Sequence, residues 1–182
     1  MKCALHVHTN LSDGAMTPEE ALKIYADLGF GAVAVTDHEF MLREHYASMV
    51  RALPRLGMLV LVGVEMDYAP WSFQHLIRIQ GDRETIHIMA HPAAYYLELE
   101  EVLARIGSEP FPIDAVEITH RGFYAPAYDV KEIPAPKLAT DDAHEPGECG
   151  RAWIETRSFR DPDRLIRAVK AGDFKTAFFR RG

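Results

Sequence analysis

Short apolar runs rich in β-branched residues alternate along the chain with segments of helical periodicity. Residues 2–8 read as a strand. Thr17-Pro18-Glu19-Glu20 then opens a helix, with Thr17 as N-cap, Pro18 in the first turn and Glu20 at the third position of a capping box. That helix runs to Leu28 and stops at Gly29. Residues 32–37 form a second strand, and a helix from Glu39 to Leu53 ends before Pro54. Strands follow at 59–67, 75–80 and 85–90, then a helix at 96–106 and a strand at 114–119. A loop with Pro126, Pro134 and Pro136 leads to a strand at 137–141, residues 151–157 form another, and a last helix runs from Asp161-Pro162 to Gly172. No internal repeat or low-complexity tract interrupts this order. The β-α-β-α-β start predicts an α/β fold with a mainly parallel sheet. Short connections and polar strand ends favour a small barrel over an open sheet, although periodicity does not separate the two.

The polar residues that break this pattern collect at strand ends. His6 and His8 lie two apart on one strand face, about 6.6 Å along it, so both can reach one ion. Val7, Cys3 and Leu5 are expected to face the covering helices, and Ser12-Asp13-Gly14 adds a turn with a carboxylate. The second strand ends in Thr36-Asp37-His38, with Ala34, Thr36 and His38 on one side. Asp37, on the other, suits orienting a neighbour. The third strand places Leu61, Gly63 and Glu65 on one face. A carboxylate at the mouth of an apolar strand is costly unless it is paired or binds metal. His75 starts a strand, His91 ends one before Pro92, and His120 ends another. Asp142 and His144 repeat the same-face spacing of His6 and His8. His45 falls in mid-helix, and His87 shares the parity of His91 but sits deeper, where a structural histidine is expected. The loop from Tyr68 to Phe73 carries Trp71, placed either to stack a base or to pack on the barrel rim, with packing ahead.

Composition narrows the class. The 182 residues suit one domain spanning 1–182 and fall short of the about 250 of a full eight-unit barrel. Lys and Arg number 20 against 27 Asp and Glu, a formal charge of −7 that argues against a strong nucleic-acid-binding surface. No apolar run reaches the ~20 residues of a membrane span. The N-terminus lacks signal-peptide grammar, and two cysteines, Cys3 and Cys149, make no disulfide framework, so a cytoplasmic location is expected. Nine histidines in so acidic a chain are the unusual feature.

The ordered set His6-x-His8 with Ser12-Asp13-Gly14, Thr36-Asp37-His38, Gly63-Val64-Glu65, Ala90-His91-Pro92 and Asp142-Ala143-His144 resembles the PHP (polymerase and histidinol phosphatase) family. The resemblance implies a distorted (β/α)7 barrel, TIM-barrel-like, with two or three divalent metal ions at the C-terminal strand ends. It implies that His6 and His8 hold a first metal with Glu65 and Asp142. Glu65 would bridge to a second metal held by His91 and by His75 or His120, and Asp13, His38 and His144 would hold a third. The seven-unit barrel also accounts for the short chain. Where some relatives follow His-Pro with acidic or glycine and basic residues, this chain has Ala93-Ala94-Tyr95-Tyr96. The spacing from Glu65 to His91 leaves no room for a covering insertion, so an open, shallow site is expected.

The expected activity is phosphoester hydrolysis, of a monoester or a diester, by a metal-activated water. Glu65, Asp142 and His144 are the expected catalytic residues. Asp142 would orient the nucleophile, and His144 would help protonate the leaving oxygen. Arg43 and Arg121 are candidate phosphate contacts on a small phosphorylated substrate or short nucleotide. Mixed imidazole and carboxylate ligands admit Mn, Zn or Fe alike. Two alternatives stand beside this: an amidohydrolase-type C–N hydrolase, and a metal-binding module without catalysis. Ser12-Asp13-Gly14 and Asp142-Ala143-His144 favour the phosphoesterase reading.

Overall fold

The computed structural model of the chain describes residues 1–179. In chain order the elements are β1 (Lys2–Ala4), α1 (Pro18–Asp27), β2 (Phe30–Val35), α2 (Tyr46–Ala52), β3 (Leu59–Tyr68), β4 (Gln74–Gln80) and β5 (Thr85–Met89). They continue as α3 (Leu99–Ser108), β6 (Ala115–Glu117), β7 (Thr119–His120), β8 (Phe123–Tyr124), β9 (Lys137–Leu138), β10 (Ala152–Glu155), α4 (Pro162–Lys170) and β11 (Lys175–Phe178). The main sheet has the order β11-β10-β1-β2-β3-β4-β5-β6-β9, and β7 and β8 form a separate hairpin. Beyond β1 the chain makes a parallel bridge from Val7 to Ala143, and the His8 amide donates to Ala143 O at 3.0 Å. This contact brings the first strand against the segment that follows β9. Seven strands thereby form a nearly closed, distorted barrel, and β10 and β11 extend from β1 at its other end.

The expected mainly parallel sheet needs correcting. Four of its eight neighbouring pairs are antiparallel: β1 with β10, β10 with β11, β3 with β4, and β4 with β5. For the last two pairs the reason is connection length. Five residues separate β3 from β4 and four separate β4 from β5, too few for the crossover that parallel neighbours require. The reversal has a functional consequence. Because β4 runs against β3, its first residues lie at the end where the parallel strands finish, and His75 stands opposite Asp67 in register.

The barrel interior is filled from Cys3, Leu5, Ala32, Ala34, Leu61, Ile77, Ile79, Ile86, Ile88, Ala115 and Leu138. Helix α4 closes the end opposite the histidines by inserting Leu165, Ile166 and Val169 into this same cluster. Its Asp163 carboxylate accepts the amides of Asp82, Arg83 and Glu84 at 2.8–3.1 Å, which fastens the β4–β5 turn to the helix. Helix α1 begins at the expected capping box and covers the outside of β1 and β2, where Leu22 and Tyr25 pack on Ala4, Val7 and Val33.

Cys3 and Leu5 therefore face inward, whereas a continuous strand would have sent them outward with Val7. The ladder lapses at Leu5 and His6 before Val7 pairs again, and the parity shifts there. Both the apolar filling and the histidines consequently point into the barrel. The long helix expected from Glu39 to Leu53 is also shorter. Glu39–Met41 forms a single 3₁₀ turn, Leu42 is extended, and α2 starts only at Tyr46. His45 precedes the helix with a left-handed φ of 72°, so it does not lie within it. Trp71 packs as the favoured reading had it: it is 4% exposed among Leu76, Val102 and Ile113, and donates to Glu109, which leaves no face for a base. Strand β11 carries no signal that the hydrophobic pattern had marked.

Candidate metal centre

Nine of the ten expected donor residues meet at the barrel mouth. They fall into four overlapping groups whose donor atoms lie within 4.8 Å of one another. These are His6, His8 and Asp142; His6, Glu65 and His91; His38, Glu65 and His75; and His8, Asp13, His38 and His144. His120 stands apart from these groups. It is exposed on the β7–β8 hairpin, with its ring centroid 5.9 Å from that of His91. It still lines the same cavity of about 330 Å³, together with Tyr95, Arg121, Asp142 and His144. Arg43 is exposed on the loop before α2 and is not among the residues lining that cavity. His87 faces outward from β5, half-buried against Phe111 and Asp114, in keeping with a structural role. A larger groove of about 560 Å³, lined by Arg51, Arg55 and Arg160, lies at the opposite end and holds none of the donors.

Glu65 is the hub. Its Oε1 lies 2.9 Å from His91 Nε2, 3.0 Å from His75 Nδ1 and 3.3 Å from His6 Nε2. Its Oε2 lies 3.2 Å from His8 Nε2 and 3.4 Å from His38 Nδ1. Asp142 Oδ1 stands 3.4 Å from Nε2 of both His6 and His8. Asp13 is 3.3 Å from His144 and 3.5 Å from His38. Donors sharing one ion at about 2.1 Å stand about 3.0 Å apart at right angles and about 3.4 Å apart at the tetrahedral angle. The observed spacings match both.

The hydrogen-bond inventory supports the same fit. His8 Nδ1, His38 Nδ1, His75 Nδ1, His91 Nδ1 and Asp142 Oδ1 are buried without a hydrogen-bond partner. Several face a carboxylate oxygen closely but in the wrong geometry for a hydrogen bond. Leaving so many buried polar atoms unpaired would cost about 1–3 kcal/mol each. Side chains aimed at a common point rather than at one another are what a metal site requires.

The electrostatics agree. Burial opposes charge on His6, yet the carboxylates of Glu117, Asp142 and Glu65 hold it well above the ordinary histidine value. His8, against the same burial, is raised to about 9 by Asp13 and Glu65. Burial would raise Glu65, but His6 and its other imidazole neighbours hold it well below the ordinary range. Burial lowers His38 and His144 and keeps them as neutral donors. Carboxylates that hold buried imidazoles protonated will hold divalent cations in place of those protons, which are released on binding.

Several supporting residues were not anticipated. Glu117 is fully buried. It accepts from His6 Nδ1 at 2.9 Å, from Thr140 Oγ1 at 2.6 Å and from the His91 amide at 2.8 Å. It turns Nε2 of His6 toward Glu65 and fixes His91, whose φ of 22° is strained. Its signal was present: a carboxylate inside the apolar run 114–119, the same anomaly that marked Glu65. Asp67 lies 3.1 Å from His75 Nε2 and leaves Nδ1 for Glu65. Asp37 acts as expected of an orienting residue. It accepts from the Thr9 amide and from Ser12 Oγ, both at 2.7 Å, and so steadies the turn that carries Asp13.

An α/β barrel with this many convergent imidazoles and carboxylates at its strand ends has a donor set that fits a polynuclear metal site. The sequence profile of the PHP domain matches residues 4–141, and the chain belongs to the PHP family. Two solved structures share the fold. One is a two-domain protein from Bacteroides vulgatus ATCC 8482 containing a predicted PHP-like metal-dependent phosphoesterase. It is 18% identical with a TM-score of 0.66, and the match covers 98% of this chain and 64% of that one. The chain thus spans under two-thirds of that relative's length. The other is PsfC from Pseudomonas syringae PB-5123, 16% identical with a TM-score of 0.69, covering 98% of this chain and 91% of that one. No curated protein matches in a sequence comparison. Among the described residues, no helix is long and apolar enough to cross a membrane.

Proposed function

We propose that the chain hydrolyses a phosphoester, of a small phosphorylated molecule or short nucleotide, at a di- or trinuclear metal site. The observation that carries this reading is the position of Glu65, whose two oxygens face five imidazoles from four different strand ends. His6, His8, Glu65 and Asp142 would hold one ion. Glu65, His91 and His75 would hold a second, and Asp13, His38 and His144 a third. His120 is close enough to His91 to join the second by a small movement of its hairpin. Divalent ions bound there would lower the pKa of a water and neutralise phosphoryl oxygens.

The chain's own residues do the rest. Asp142 projects into the cavity from a left-handed backbone position, φ 47°, suited to orienting the attacking water. His144 Nδ1 lies 3.1 Å from the Asp142 carbonyl and can donate to it, which leaves Nε2 unprotonated toward Asp13. That posture suits a ligand better than a proton donor. In a chain of net charge −7, Arg121 lines the cavity and supplies fixed positive charge for a phosphate. The test is hydrolysis of p-nitrophenyl phosphate and of bis(p-nitrophenyl) phosphate with added manganese. Turnover of either is expected. Absence of both, with metal bound, would count against the phosphoesterase reading and in favour of the non-catalytic module or the C–N hydrolase.

A further inference from the structure

Arg121 does not occupy its position by default. It and Gly122 are the two central residues of the β7–β8 hairpin, with φ of 52° and 79°. A two-residue turn of this hand favours Asn-Gly, and an arginine there is strained. Strain of this kind persists only where neighbours over-determine the conformation. Three fasteners do so. Arg121 Nη2 donates to Glu148 Oε1 at 2.9 Å. Arg151 donates to the Arg121 carbonyl and to the same Glu148 oxygen, both at 3.4 Å, while its guanidinium lies 5.5 Å from the Phe123 ring. The Arg151 stem is so close to Gly122 that a Cβ there would fall 2.5 Å from Arg151 Cβ, so only glycine fits the turn.

Glu148 also reaches the metal centre. Its Oε2 accepts the His144 amide at 2.8 Å, and the side chain is largely buried. One carboxylate therefore ties the cation at the cavity mouth to the loop that carries Asp142 and His144. We infer that Glu148, braced by Arg151, is a positioning residue that aims Arg121 at the phosphate of the substrate. This rests on the phosphoesterase reading for the role of Arg121. The hairpin also carries His120, so the same brace sets how near that imidazole comes to the second ion.

The test is titration of manganese-loaded protein with inorganic phosphate by calorimetry, with metal content measured on every variant. Arg121→Ala is expected to weaken phosphate binding by about tenfold or more, the loss of one charge-assisted hydrogen bond. Glu148→Gln is expected to weaken it comparably with metal content unchanged, and the double variant no further than Arg121→Ala alone. Arg151→Ala, which leaves the Glu148 bond to His144 intact, covers the case where Glu148→Gln folds poorly and is expected to act in the same direction. Wild-type phosphate affinity in Glu148→Gln, or effects that add fully in the double variant, would overturn the inference. Turnover of the aryl phosphates is scored separately. The coupling pattern without any turnover sinks the phosphoesterase reading and leaves the positioning role standing.

Discussion

His6 Nδ1 donates to Glu117 at 2.9 Å, with both side chains fully shielded from water. This bond turns Nε2 of His6 toward Glu65, His8 and Asp142. Glutamine at position 117 keeps the volume but removes the negative charge that favours the Nδ1–H tautomer. Glu117→Gln should lower metal affinity by about 10–100-fold, the usual loss when a partner behind a metal-binding histidine is removed. Competition against a chromophoric chelator measures it. Unchanged affinity would show that Glu117 only fills space.

Glu65 belongs to two of the donor groups at once. Glu65→Gln should therefore lose metal and activity together, where removal of a ligand from one group alone leaves partial occupancy. The check is metal content and turnover on the same preparation. Normal hydrolysis by this variant would remove Glu65 from its bridging position.

The metal-free chain should have an unusual stability profile. Folding raises His8 from near 6.5 to about 9. A pKa raised on folding contributes stability that is fully present below the unfolded value and is lost as pH rises through the folded one. His6 is shifted in the same direction. Melting temperature of the chelated protein should therefore fall between about pH 6.5 and 9. Saturating manganese should flatten that fall, because ions replace the lost protons and bind better to neutral imidazole. Melting curves at a series of pH values, with and without metal, decide it; a flat profile for the chelated protein would mean the cluster contributes nothing to folding, and parallel falls would mean that metal does not replace its protons.

Gly63 sits inside the barrel where a Cβ would lie 2.7 Å from Thr36 Cγ2. Both residues lie two positions before a donor on the same strand face, Glu65 and His38. Gly63→Ala should destabilise by about 1–3 kcal/mol through overpacking. Forcing β2 and β3 apart should also weaken metal binding. Denaturant melts of the metal-free and loaded protein would measure both effects.

Much of the site was legible because the chemistry sits where hydrophobic alternation ends. Histidine or carboxylate at a strand terminus is visible in one sequence, and His6, His8, His38, Glu65, His91 and Asp142 all stood out in this way. Alternation also put Glu65 and His38 on the correct faces. It misled at Leu5 and His6, because a lapse in the ladder reverses facing and leaves no mark in composition. The parallel expectation also failed at β4. The five-residue connection from β3 is too short for a crossover, and the antiparallel turn it makes is what brings His75 to the mouth. Glu117 was overlooked although its signal equalled that of Glu65, because His120, three residues on, stood as the strand-end donor of that run. The brace from Glu148 to Arg121 spans 27 residues and two loops, and no local pattern encodes it.

The central claim is that these side chains form one polynuclear centre. Elemental analysis of purified protein after reconstitution with manganese, zinc or iron tests it most directly. At least two ions per chain are expected, falling together in Glu65→Gln. Fewer than one ion per chain after reconstitution would contradict the account.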